Sequence, residues 1–176
     1  LAPKDGETEG LASKLPDNVG TARFIRWLTH NEWRPWYVSL TLMFQQEVAE
    51  RIVAKPNTKA YGRLSVLAQW RGNVRIAMRV PAAAFTPPPK VASAIIHFEP
   101  TDPMDDRVKL KDLEKVVERA FGQRRKMLRA SLKGLDVSAQ ILLETAGIEP
   151  TSRAEDLSVA QFVDLARHYG EMRANI

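Results

Sequence analysis

Pro100-Thr101-Asp102-Pro103-Met104-Asp105-Asp106-Arg107 divides this chain. Proline lacks a backbone donor and aspartate favours turns, so the stretch predicts a linker. Upstream of it, apolar residues alternate between helical spacing and strand-like runs. Downstream, only helical spacing remains. That order predicts an α/β part over residues 1–103 and an all-α part over residues 104–176.

Upstream, Val19, Ala22, Ile25, Trp27 and Leu28 predict a helix over Asn18 to His30. Tyr37 to Phe44 is β-rich and apolar on both faces, the pattern of a strand buried within an α/β sheet. Gln45 to Ala54 reads as a helix with Glu47 and Arg51 at i,i+4, and Tyr61 to Trp70 as another, stopped near Gly72. Val74 to Val80 and Val91 to Phe98 read as strands. Downstream, Leu113, Val116, Val117, Ala120 and Phe121 form one helical stripe. A second helix is predicted over Gln123 to Lys133, ending at Gly134, and a third over Ala139 to Ala146, closed by Gly147. Ser158 and Gln161 form a capping box ahead of a fourth, with Val159, Phe162, Val163 and Ala166 on one face.

The 176 residues are 44% hydrophobic, enough for a packed core, and include no cysteine. Disulfides and thiolate metal sites are thereby excluded, and a reducing cytoplasm is expected. No run is long and apolar enough to span a membrane, and residues 1–10 do not resemble a signal peptide. His30, His97 and His168 share no metal-like spacing, so no metal is expected; His97 reads as a core histidine. Trp27, Trp33, Trp36 and Trp70 read as core and rim packing. The net charge of +5 permits a nucleic-acid partner without demanding one.

Two stretches carry functional readings. Phe85-Thr86-Pro87-Pro88-Pro89-Lys90-Val91 is a stiff arm that holds an aromatic with little entropy to lose. Phe85 either plugs a core or stacks on a flipped-out nucleobase. Arg119, Arg124, Arg125, Lys126, Arg129 and Lys133 carry positive charge with no acidic residue between them. On a helix Arg125, Lys126, Arg129 and Lys133 share one face, while Arg124 falls with the apolar arc, turned inward or at the helix entrance. That face is either solvated or set against phosphate, which arginine forks match well. Lys90 and Arg63 line a substrate mouth or solvated surface.

Further motifs add to these: Leu15-Pro16 with Asn18-Val19-Gly20-Thr21; Gln46-Glu47-Val48-Ala49-Glu50-Arg51; Tyr61-Gly62-Arg63-Leu64-Ser65; Phe121-Gly122-Gln123-Arg124-Arg125-Lys126-Met127-Leu128; and Arg153-Ala154-Glu155-Asp156-Leu157-Ser158. With the proline arm, in this order, they resemble the rRNA adenine dimethyltransferase family from about residue 14 to the end. The resemblance implies a partial Rossmann-like methyltransferase domain followed by a small helical domain. It implies S-adenosylmethionine as methyl donor, and dimethylation of two adjacent adenines in small-subunit rRNA during assembly of the immature small ribosomal subunit. It implies a cytoplasmic enzyme, monomeric when complete. The amine of adenine is a poor nucleophile; in the family an Asn-Leu-Pro-Tyr loop accepts its N–H groups and stacks on the base, and the arm's Phe stacks on the other side. That places Leu15, Pro16 and Phe85 at the catalytic site, and Lys90, Arg124, Arg125, Lys126, Arg129 and Lys133 against RNA.

The loop departs from the family at both ends: Lys14 stands at the Asn position and Asp17 at the Tyr position. A charged lysine accepts no hydrogen bond and aspartate has no π face. The 13 residues before Lys14 hold no strand followed by a glycine-rich turn, so the cofactor-binding half is expected to be missing and this chain alone inactive. A sheet without its first strands exposes a long edge, which predicts poor solubility. These departures keep open a non-catalytic RNA-binding or ribosome-assembly factor on the same scaffold. A helix-turn-helix DNA binder over residues 113–134 is a third reading.

Overall fold

A computed structural model describes residues 17–30, 33 and 35–175. In chain order it holds α1 (Asp17–Leu28), β1 (Leu40–Gln45), α2 (Gln46–Val53), α3 (Arg63–Arg71), β2 (Gly72–Val80), β3 (Ser93–Pro100), α4 (Leu110–Gly122), α5 (Leu128–Ser131), α6 (Ala139–Thr145) and α7 (Val159–Ala174). Single 3-10 turns occupy Ala82–Ala84, Leu132–Gly134 and Ala154–Asp156.

The strands lie in the order β1-β3-β2, with β3 antiparallel to both neighbours. β1 and β2 therefore point the same way and are joined through α2 and α3. The strand read over Tyr37 to Phe44 begins later, at Leu40, and is buried on one face only: Phe44 is buried while Thr41 and Met43 are exposed. The reason is that α1, α2 and α3 all pack on the same side. Phe24, Leu28, Ala49, Ile52 and Ala68 meet Phe44, Ala94, Ile96 and Phe98 there. The outer face carries Thr41 and Arg75 in register with His97. His97 is thus a half-buried residue of that outer face, its Nδ1 3.0 Å from Thr41 Oγ1, and not a core histidine.

α1 buries Phe24 and Leu28, one turn apart, rather than Ala22, which is exposed. Phe24 makes edge-on contacts with Phe44 and Phe98 at 5.7 and 5.6 Å between ring centroids. The last carbonyls of α2 have no helical partner. α3 supplies partners: Ser65 Oγ donates to Arg51 O, and Gln69 Nε2 donates to Ile52 O at 3.2 Å and Ala54 O at 2.8 Å. That lashes the two helices together.

A second core fills the helical half. Leu113, Val116, Val117 and Ala120 of α4 pack there with Leu128, Leu132, Leu142, Phe162 and Leu165. α3 belongs to both cores: Ala68 enters the first, and Val66, Leu67 and Trp70 the second. The Ser158–Gln161 capping box forms in both directions, at 3.2 and 2.9 Å, and Gly147 takes the left-handed φ of +63° that closes α6.

The linker is anchored at both ends. At its entrance Arg71 is buried, its guanidinium stacked 3.9 Å from the Trp70 ring centroid and 4.5 Å from that of Trp33. Its Nε donates to Leu28 O at 2.9 Å, closing the end of α1. Trp33 Nε1 donates to Thr101 O at 2.8 Å, and Thr101 N donates to Arg71 O at 3.1 Å. Burial pulls the Arg71 pKa down to about 10. At its exit Asp105 accepts from Arg107 and lies 3.6 Å from Arg167 of α7. Its hydrogen bonds to Arg107 hold the Asp105 carboxyl down at about 2.

Candidate nucleic-acid interface

Ser93, the first residue of β3, pairs with Gln45 on one side and Val80 on the other. The carboxy ends of β1 and β2 therefore meet at one edge of the sheet, the edge at which open α/β sheets bind ligands. Residues 81–92 emerge there. They leave β2 through the 3-10 turn, where Ala84 N donates to Pro81 O at 3.0 Å and Phe85 N to Ala82 O at 3.2 Å. They re-enter beside α2, where Gln46 N donates to Ala92 O at 2.9 Å. The arm bends at Phe85–Pro87 and again at Lys90–Val91, so it is pinned and angular rather than one extended rod. Lys90 and Pro87, Pro88 and Pro89 are exposed. Phe85 is half-buried and belongs to neither hydrophobic core. The ring is thus partly exposed where the carboxy ends of β1 and β2 meet, and it belongs to neither core.

The basic segment folds differently from the single helix read over Gln123 to Lys133. α4 ends at Gly122, Gln123 turns away at φ −130° and ψ 60°, and residues 124–126 form a turn. Met127 then bridges to Arg153, and the helical hydrogen bonds begin only with α5. Tertiary pairing overrides helix propensity here: Leu128 N donates to Ser152 O at 2.8 Å and Arg129 N to Pro150 O at 3.2 Å. Arg125 and Lys126 consequently sit on a turn, Arg129 on α5 and Lys133 on the following 3-10 turn. They do not form one helical stripe, and a continuous recognition helix over this segment does not exist. All four are exposed, and none is in an ion pair among the described residues. Arg124 is different. Its Nε lies 2.9 Å from Glu155 Oε2 and its Nη2 donates to Thr58 O at 3.1 Å.

Folding brings further cations to the same place. Asn57 N donates to Glu155 O at 2.8 Å, which sets the loop carrying Lys55 and Lys59 beside the segment carrying Arg153. All three cations are exposed. The sequence analysis does not group them because the loop and the 149–157 segment are far apart in the chain; the signal it leaves unread is the turn-forming pair Pro56-Asn57. Arg63, by contrast, faces Glu118 at 4.0 Å. The surface of three segments can neutralise phosphates, the sequence-independent part of nucleic-acid binding.

Lys14, Leu15 and Pro16 lie outside the described residues, and Asp17 opens α1. Among the described residues no group of histidine and carboxylate side chains is arranged to hold a metal, and no helix is long and apolar enough to cross a membrane. Among them, too, no strand passes through glycines into a helix: β1 runs from Gln45 straight into α2 at Gln46. The glycine-rich turn by which such sheets hold a dinucleotide is thus not among the described residues.

A family model described as ribosomal RNA adenine dimethylase matches residues 6–171. Ribosomal RNA small subunit methyltransferase A of Novosphingobium aromaticivorans is 62% identical over 157 residues, covering 89% of this chain and 57% of the relative. The protein of the same description from Ruegeria sp. is 57% identical over 161 residues, covering 89% and 56%. The chain thus spans little more than half the length of these curated relatives. Among solved structures, a dimethyladenosine transferase from Plasmodium falciparum superimposes with a TM-score of 0.77 at 21% identity, covering 90% of this chain and 65% of that one. The 23S rRNA methyltransferase ErmE gives a TM-score of 0.58 at 22% identity, covering 89% and 63%. At those identities the likeness shows the fold: part of a Rossmann-like α/β domain followed by helices.

Proposed function

The chain belongs to the ribosomal RNA adenine dimethylase family, and from that membership we propose that the whole protein dimethylates two adjacent adenines of small-subunit rRNA during assembly of the small ribosomal subunit. S-adenosylmethionine supplies the methyl groups in this reading; the described residues contribute the substrate side. Residues 1–103 are the later part of the methyltransferase domain, and residues 104–176 the helical part that meets RNA. Phe85 stacks on the flipped adenine, and Leu15 and Pro16 belong to the catalytic loop by the family resemblance. Lys90, Arg125, Lys126, Arg129 and Lys133, joined by Lys55, Lys59 and Arg153, neutralise rRNA phosphates. The complete protein acts as a cytoplasmic monomer without a metal.

The observation that carries this reading is Phe85: a half-buried ring outside both cores, on an arm pinned at the carboxy ends of β1 and β2. The test uses the full-length protein, methyl-labelled donor and immature small subunits. Label is expected in rRNA. Phe85→Ala is expected to lower the rate roughly ten- to a hundredfold, the scale of losing a base stack worth ~1–3 kcal/mol, while Phe85→Tyr keeps most of it. No label in rRNA, or an unchanged rate for Phe85→Ala, refutes the reading.

Lys14 and Asp17 favour a second reading, a non-catalytic assembly factor, because they remove an acceptor and a stacking ring from the family's loop. It predicts salt-sensitive rRNA binding without donor affinity, and turnover in the same assay excludes it.

A further inference from the structure

We infer that Arg124 is a positioning residue, and that its clasp on Glu155 and Thr58 holds the three basic segments in one RNA-facing surface; the inference rests on the proposed rRNA contact. The run Arg124-Arg125-Lys126 looks uniform in sequence, yet the turn splits it by role. Arg125 and Lys126 are exposed and outside every ion pair described, whereas the Arg124 side chain is 39% exposed and its donors are engaged.

Three irregular segments make the surface: the loop from Ala54 to Gly62, the turn after α4, and residues 149–157. Backbone bonds join residues 149–157 to the loop and to the start of α5, directly after the turn. Asn57 N reaches Glu155 O at 2.8 Å, and Leu128 N reaches Ser152 O at 2.8 Å. Arg124 hydrogen-bonds to both of the other segments, at 2.9 Å to the Glu155 carboxylate and 3.1 Å to Thr58 O. The planar guanidinium does this because its Nε and Nη2 donors are fixed in one fork; a lysine ammonium presents a point charge and cannot hold both acceptors in register. Asn57, at φ +62°, turns the loop so that its amide and the Thr58 carbonyl point at the helical half. Losing the clasp leaves both backbone bonds in place but removes the direct tie between the loop carrying Lys55 and Lys59 and the turn carrying Arg125 and Lys126.

A phosphate ligand and a positioning residue respond differently to charge reversal. The full-length protein is titrated with a transcript of small-subunit rRNA over a range of salt. Arg125→Gln is expected to reduce the slope of log affinity against log salt by about 0.9, as one lost phosphate contact does. Arg124→Glu is expected to weaken binding on the order of tenfold, and Arg124→Glu with Glu155→Arg, which restores net charge and the pair but not the bond to Thr58 O, to recover part of it. Glu155→Gln alone is expected to weaken binding. If Glu155→Gln tightens it, or the swapped pair stays as weak as Arg124→Glu, Arg124 is itself a phosphate ligand and the inference is overturned.

Amide hydrogen exchange reads the clasp without RNA. Arg124→Gln is expected to speed exchange at Asn57 while Arg125→Gln does not; unchanged protection in Arg124→Gln overturns the clasp. If Arg125→Gln and Lys126→Gln leave both affinity and slope intact, the rRNA reading fails instead, and the exchange result still decides the role of Arg124.

Discussion

Replacing Arg71 by methionine tests whether the buried cation at the linker entrance stabilises the fold. The side chain is 6% exposed, lies 3.9 and 4.5 Å from two indole centroids, and donates at 2.9 Å to the last carbonyl of α1. Each desolvated cation–π contact is worth about 1–2 kcal/mol. The charge-assisted bond adds about 1.5–3 kcal/mol and leaves Leu28 O unpaired when removed. Against these stands the lost hydration of the guanidinium, visible in the fall of its pKa to about 10. The net expectation is a loss of about 3 kcal/mol for Arg71→Met, with Arg71→Lys recovering little because an ammonium neither stacks as a plane nor reaches the same acceptors. Urea unfolding followed by tryptophan fluorescence measures it, since Trp33 and Trp70 flank the perturbed charge. A stability for Arg71→Met within about 0.5 kcal/mol of the parent would refute the reasoning, showing that desolvation cancels the clamp.

Two further predictions concern the linker and the sheet. Asp105 has its carboxyl held at about 2, below its ordinary 3.8, by the hydrogen bonds from Arg107. A depressed carboxyl stabilises the fold above its unfolded pKa, so the stability difference between parent and Asp105→Asn is expected to be full above pH 4, to shrink as pH falls toward 2, and to vanish below it; thermal melts at pH 6, 4 and 2 check this, and a difference independent of pH contradicts it. At Gly72 the backbone is extended, and a Cβ would stand 2.3 Å from Glu99 O and 2.8 Å from the Phe98 ring. Gly72→Ala must therefore push β2 from β3 and is expected to cost about 3 kcal/mol, as overpacked cores do; a neutral effect in urea unfolding would show that this strand end yields freely.

The apolar spacing of α4, the capping box at Ser158, the glycine after α6 and the strand runs ending at Val80 and Phe98 were legible in the residues, because each depends on neighbours within a turn or two. The Pro and Asp cluster marked irregular chain, and residues 101–109 between β3 and α4 hold no helix or strand, though Pro100 itself ends β3. One-sided burial of β1 was not, because which face of a strand is covered depends on where the helices pack, not on the strand itself. The single helix over Gln123 to Lys133 also failed. Its propensity is helical, yet backbone donors of Leu128 and Arg129 find carbonyls of Ser152 and Pro150 instead.

The sequence by itself determined that an α/β part precedes a helical part, that an aromatic rides on a proline arm, and that cations concentrate after α4. These are properties of composition and short spacing. Only the tertiary structure decided that Phe85 stays outside both cores, that Lys55, Lys59 and Arg153 join the basic turn, and that Arg124 alone of its run is engaged inward. The physical reason is the same in each case: whether a side chain is free or committed depends on what distant backbone brings into contact with it, and hydrogen bonds and close packing extend only about 3 to 4.5 Å.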